Sequence, residues 1–78
     1  MSETITADRP VKRSVTLSGH RTSVSLEQVF WDEFQRLAVA RGVSTNALVS
    51  DLDAARTPPA SLASAIRVFV LTEVKAGR

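Results

Sequence analysis

Arg9, Lys12, Arg13 and Arg21 follow one another with no acid between them. A run of this kind is either a solvated tail or a surface for an anionic partner. Other reactive residues point nowhere. His20 is the only histidine and there is no cysteine, so a metal site is not expected and no cofactor is implied. Asp51 and Asp53 fall about 200° apart on a helix, and Asp32 and Glu33 are adjacent, so neither pair suits paired acid–base work. Serines are plentiful, but no G-x-S-x-G, Gly-rich phosphate loop or metal-ligand cluster accompanies them. With 78 residues there is also little chain to wall a pocket. An enzyme is not expected.

The elements that would position the bases can be read from periodicity. Arg21 to Leu26 alternates, with Thr22, Val24 and Leu26 on one face and Arg21, Ser23 and Ser25 on the other. A strand is expected over about 21–26. Residues 1–11 read as a flexible arm and 12–78 as a single domain. Within it, 14–18 also alternates, with Val15 and Leu17 on one face, and Ser18, Gly19 and His20 have turn composition.

A helix is expected over about 27–41, where Phe30, Phe34, Leu37 and Ala38 share a face. Glu27, Asp32 and Glu33 lie early in it and Arg36 and Arg41 late, matching the helix dipole. Gly42 can close it in the left-handed conformation. Ser25 and Gln28 have capping-box spacing, which competes with the place of Ser25 on the strand. Ser44 reads as the next N-cap, Val43 and Leu48 have staple spacing, and a helix over about 45–56 carries Leu48, Val49, Leu52 and Ala55 on one stripe. Pro58 and Pro59 forbid its continuation. Ser61 can cap a third helix over about 62–75, with Leu62, Ala65, Ile66, Phe69, Val70 and Val74 apolar. The stretch "VFVLT" is also β-rich, but "SLASAI" is a poor strand opening, so helix is preferred.

A chain this short buries only about 60% of its unfolded surface and is marginal alone. Without disulfides or metal, a second subunit is the expected support. Val24, Leu26, Phe30, Phe34, Leu37, Leu48, Leu52, Ile66 and Phe69 are the candidates for a dimer core. The amino terminus has no apolar segment of a secretory signal and "VFVL" is the longest apolar run, so a soluble cytoplasmic protein without membrane contact is expected.

The order is basic arm, strand, helix, "RGVSTNAL" turn, helix. Arg21 to Leu52, "RTSVSLEQVFWDEFQRLAVARGVSTNALVSDL", resembles the ribbon-helix-helix family of bacterial and phage repressors. The longer string "KRSVTLSGHRTSVSLEQVFWDEF", with "SLASAIRVFVL" near the end, is similar to a narrower group of small bacterial ribbon-helix-helix DNA-binding domains. The resemblance implies a mainly α fold with one short strand. Two copies would intertwine, their strands pairing antiparallel across a two-fold axis, with the third helix as an addition. It also implies that the ribbon enters the major groove of double-stranded DNA. Outward Arg21, Ser23 and Ser25 would then meet base edges, since arginine reads guanine bidentately and serine can donate or accept. Ser44, Thr45 and Asn46 would hold a phosphate at a helix start. Lys12, Arg13 and His20 would add phosphate contacts. Trp31 is expected in the core or dimer interface.

Two features depart from the minimal pattern. Residues 14–18 could fold back through Ser18-Gly19-His20 as a hairpin, widening the ribbon and encumbering the groove. The third helix could extend the dimer core, build a higher oligomer or dock another protein. The expected function is that of a homodimeric, sequence-specific transcriptional regulator, a repressor. Two alternatives stand beside it: an antitoxin, although residues 62–78 carry three bases to one acid and look folded, and a dimeric protein-interaction module that binds no DNA.

Overall fold

The structure, a computed structural model, describes residues 9–78. Residues 1–8 of the expected arm lie outside the described residues. The described chain runs as β1 (Val11–Leu17), β2 (His20–Leu26), α1 (Gln28–Arg41), α2 (Thr45–Ala55) and α3 (Leu62–Lys75).

The expectation of one short strand is corrected: β1 and β2 form an antiparallel two-stranded sheet within one chain. The register pairs Leu17 with His20, Val15 with Thr22, Arg13 with Val24 and Val11 with Leu26. Ser18 and Gly19 alone make the connection, with φ of 50° and 82°. Two successive positive φ values are what a type I′ turn requires, and that turn matches the natural twist of a hairpin. Val11, expected in the arm, is instead the first residue of β1, and Lys12 and Arg13 belong to the same strand.

Alternation gives the sheet two unlike faces. Val15, Leu17, Val24 and Leu26 turn inward and are buried. They meet Phe34, Leu37 and Ala38 of α1, Leu48 and Val49 of α2, and Ile66 and Val70 of α3 in one core. Phe30, Trp31, Leu52 and Phe69 pack partly buried around it. Thr22 shares the inward face but stays exposed near the turn. Of the residues expected to form a dimer core, Val24, Leu26, Phe34, Leu37, Leu48 and Ile66 are buried within the single chain, while Phe30, Leu52 and Phe69 stay partly exposed. A fully buried leucine, isoleucine or phenylalanine contributes about 1.5–3 kcal/mol, so Leu26, Phe34 and Ile66 matter most.

The helix ends follow local chemistry. Gly42 takes φ 72° and closes α1, its N–H reaching Val39 O at 2.9 Å while Val43 N–H reaches Ala38 O at 3.1 Å. Ser44 Oγ accepts from Ala47 N–H at 3.0 Å and starts α2. Ser61 Oγ accepts from Ser64 N–H at 3.1 Å and starts α3, which is helical throughout as preferred above. The capping box does not form: Glu27 is the N-cap of α1 without a side-chain cap, and Ser25 remains in β2. Among the described residues no helix is long and apolar enough to cross a membrane.

Candidate nucleic-acid interface

On the outward face, strand parity places Lys12, Ser14 and Thr16 of β1 beside Ser25, Ser23 and Arg21 of β2. All but Thr16 are exposed, and Thr16 is half-buried. The face carries two cations, four hydroxyls, no carboxylate and no large apolar side chain. Arg21 Nη2 donates across the strands to Ser14 Oγ at 2.5 Å. That bond holds the guanidinium against the sheet without neutralising it. His20 is exposed at the turn end of β2.

The pairing pattern also fixes the backbone groups. Next to a two-residue turn the first pair, Leu17 with His20, is the hydrogen-bonded one, so Thr16–Arg21, Ser14–Ser23 and Lys12–Ser25 are not. Their peptide groups point to the outer edges of the sheet. Thr16 N–H accordingly points away from β2 and donates to Asn46 Oδ1 at 3.2 Å. This bond sets the start of α2 beside the edge of β1. Ser44 Oγ is taken by its cap, Asn46 by Thr16, and the N–H groups of Thr45 and Asn46 are at the helix start, where no intrahelical acceptor exists.

Arg13 is placed otherwise than expected. It lies on the inward face opposite Val24, and its Nη2 donates to Leu26 O at 3.2 Å and to Gln28 Oε1 at 3.0 Å. Its guanidinium carbon sits 5.5 Å from the Trp31 ring centroid, within cation–π range. A residue one position along from Lys12 must point to the other face, so it covers Trp31 and faces away from the outward surface. Gln28 is in turn fixed by Asp32, 2.7 Å away. Trp31 stacks on Phe34 at 6.1 Å.

The other arginines on the helices are also committed. Arg67 grips Glu27 with two bonds of 2.9 and 3.1 Å and lies 5.8 Å from the Phe30 centroid. The Glu27 carboxyl is held below its ordinary pKa, first by its own backbone N–H and then by Arg67. Glu33 is lowered likewise by Arg36, whose own pKa is raised by the same contact. Arg41 reaches Glu73 at 3.1 Å over Phe69, and Arg56 reaches Asp53 at 2.8 Å. Lys12 and Arg21 have no carboxylate partner among the described residues. The acids of the helices are thus largely spent on helix arginines, leaving the outward face of the hairpin positive.

A two-stranded ribbon followed by a helix, a tight turn at Gly42 and a second helix is the arrangement on which a family comparison bears. The sequence profile of the ribbon-helix-helix domain matches residues 10–74. The chain belongs to the ribbon-helix-helix family. Neither the curated proteins nor the solved structures contain a match. Ribbon-helix-helix domains are in general parts of DNA-binding regulators. The match begins before β1 and ends within α3, so the family pattern spans the hairpin and all three helices.

Sequence reasoning singled out Arg21, Ser23 and Ser25 and the start of α2, and these lie at one end of the fold. It missed Ser14 and Thr16 as members of the same face. The signal was present: two alternating segments of equal length flank the two-residue Ser-Gly loop. In such a hairpin, the polar positions of both strands share a face.

Proposed function

We propose that this protein is a sequence-specific DNA-binding regulator of transcription, a repressor, that lays its two-stranded ribbon in the major groove. The observation carrying this reading is the outward face of the hairpin, which combines Lys12, Ser14, Thr16, Arg21, Ser23 and Ser25 with no acid. Two strands about 4.8 Å apart fit a groove about 12 Å wide. The side chains available are those that exchange hydrogen bonds with base edges, and Arg21 has the fork that matches guanine.

Phosphates on the flanks would be met by Lys12 and His20, and by the N–H groups of Thr45 and Asn46, with Ser44 as the cap that orders them. Two copies are proposed to act together as a homodimer. The helical side offers them an apolar surface: Val68 and Leu71 of α3 are 65% and 57% exposed. Val68 also lines a groove of about 430 Å³ together with Leu52, Ala55, Ala65 and Phe69.

The test is fluorescence anisotropy with labelled DNA from the gene's own upstream region and with random-sequence DNA, each at two salt concentrations. The expected result is tight binding to the upstream fragment that weakens steeply with salt, because phosphate contacts release counterions. Arg21→Ala should lose most of the preference for that fragment. Absence of binding to both DNAs at low salt would overturn the proposal.

A further inference from the structure

Arg21 is exposed on the outward face, where an unrestrained guanidinium would sweep many orientations. It is restrained. Thr16 lies directly across the sheet from it, yet the side chain passes Thr16 and donates from Nη2 to Ser14 Oγ, its diagonal neighbour on β1. Diagonal neighbours on one face of a sheet are within reach of long side chains. Ser14 is a firm anchor. Seven paired positions hold β1 in register with β2, and the Thr16 N–H bond to Asn46 ties the outer edge of β1 to the start of α2. The contact joins two strands of one chain and makes no use of the outer edge of β2.

The bond has a chemical consequence. The N–H donors of a guanidinium form two forks: Nε–H with one Nη2–H, and the other Nη2–H with one Nη1–H. Nη2 belongs to both. A hydrogen of Nη2 given to Ser14 opens one fork and leaves the other whole. Bidentate reading of guanine O6 and N7 needs one whole fork. We propose that Ser14 is a positioning residue for Arg21: it fixes the one fork that the arginine presents to the groove, and so confines Arg21 to one guanine at one base step. The inference rests on the DNA-binding reading above. The part of Ser14 in specificity runs through Arg21. The arginine also meets its base already ordered, so less side-chain freedom is lost on binding.

The test is selection of preferred DNA from a random library by the full chain. Anisotropy then follows on the selected duplex and on duplexes changed at single steps. Ser14→Thr and Ser14→Val are the decisive pair, because their side chains have the same shape and differ by the hydroxyl. Both suit a strand, and the assays are run at a temperature where circular dichroism shows both folded.

The wild-type motif should contain a guanine step that Arg21→Ala loses. Ser14→Thr should keep that step. Ser14→Val should lower the preference for guanine there by roughly threefold to tenfold, the worth of one hydrogen bond, with the other steps unchanged. Added to Arg21→Ala, Ser14→Val should change nothing further. Four results overturn the inference and leave DNA binding standing: a motif without an Arg21-dependent guanine, identical motifs for Ser14→Val and Ser14→Thr, relaxation at a step that Arg21→Ala leaves intact, or losses that add in the double variant. Absence of DNA binding by the wild type at low salt overturns the functional reading, and this inference falls with it.

Discussion

Arg13 and Arg21 are eight positions apart in one hairpin and do opposite things. Arg13 turns inward. It is bound to Leu26 O and Gln28 and lies over Trp31, so its charge is used to close the core. Arg21 turns outward, touches Ser14 alone by hydrogen bond, and keeps the rest of its guanidinium for solvent or a ligand. Residue type, charge and neighbourhood in the sequence are nearly the same. Strand parity separates them: an odd spacing from Lys12 puts Arg13 on one face, and pairing with Thr16 puts Arg21 on the other. The two faces of the sheet therefore use the same side chain differently, one to close the core and the other to present an exposed charge.

The largest effect that could break this comparison comes from moving one charge across the sheet. Val24 is buried opposite Arg13, and its neighbour Ser23 is exposed opposite Ser14. Val24→Asp buries a carboxylate in the apolar core, where the facing Arg13 is already bonded to Leu26 O and Gln28, and should cost about 3–5 kcal/mol, enough to unfold a small domain. Ser23→Asp should leave the thermal midpoint nearly unchanged yet abolish DNA binding, since it sets a negative charge against phosphates. Circular dichroism melts and anisotropy read the two. A folded Val24→Asp protein would refute the inward assignment.

The two arginines sharpen the comparison next. Arg21→Ala should cost roughly 1–3 kcal/mol of specific DNA affinity. Being exposed, it should change stability by no more than about 0.5 kcal/mol. Arg13→Ala should do the reverse. It removes one donor from Leu26 O and the donor to Gln28 Oε1 and uncovers Trp31, for a loss of about 1–2 kcal/mol of stability, with affinity little changed once the protein is folded. Equal loss of DNA affinity in both variants would mean that Arg13 also reaches the ligand.

What was legible in the sequence was what local chemistry decides. Gly42, Ser44 and Ser61 are caps because backbone groups within a few residues need partners, and each cap forms as its spacing implies. The third helix was legible for the same reason: Ser61 opens it before the β-rich stretch can act. What was not legible depends on distant pairing. Residues 14–18 alternate visibly, but alternation cannot tell whether the partner strand is in the same chain or another. The arm was drawn to residue 11 because Val11 gains order only by pairing with Leu26. The Ser25–Gln28 spacing misled because the strand runs to Leu26 and only Glu27 is left to flank the helix. The outward face was consequently seen as one row of residues where the structure has two.

The turn that keeps both faces in register gives a smaller effect. Gly19 has φ 82° and no atom within 4 Å of the position a Cβ would take, so Gly19→Ala strains only the backbone. The left-handed conformation costs a residue with a Cβ roughly 1–2 kcal/mol. Gly42→Ala, at φ 72° in equally open space, should cost about as much at the helix end. The comparison lies in the binding readout. Gly19→Ala should weaken DNA affinity through loosened strand register, whereas Gly42→Ala should lower the melting temperature by a similar amount at unchanged affinity. Matching affinities in the two variants would show that the hairpin does not need its turn to keep the face in order.

The smallest effect lies on the helical side and titrates. Glu27 stands between β2 and α1 as the N-cap of α1, and Arg67 of α3 holds it. The Glu27 pKa is lowered in the folded chain relative to its ordinary value of 4.5. A carboxyl depressed on folding binds its proton more weakly in the native state than in the unfolded one. Its contribution to stability is therefore present above the ordinary value and is lost as the pH falls through the lowered one. Glu27→Gln should melt slightly below wild type at pH 7, and the gap should narrow as the pH of both is lowered through and below the depressed Glu27 value. Glu33→Gln should behave in the same direction, because Arg36 lowers that carboxyl as well, but Arg36 is on the same helix and the pair ties no two elements together. A larger gap for Glu33 than for Glu27 would mean that the link between α3 and the end of the hairpin carries little of the fold. In that case the sheet is held to the helices by its buried inward face alone.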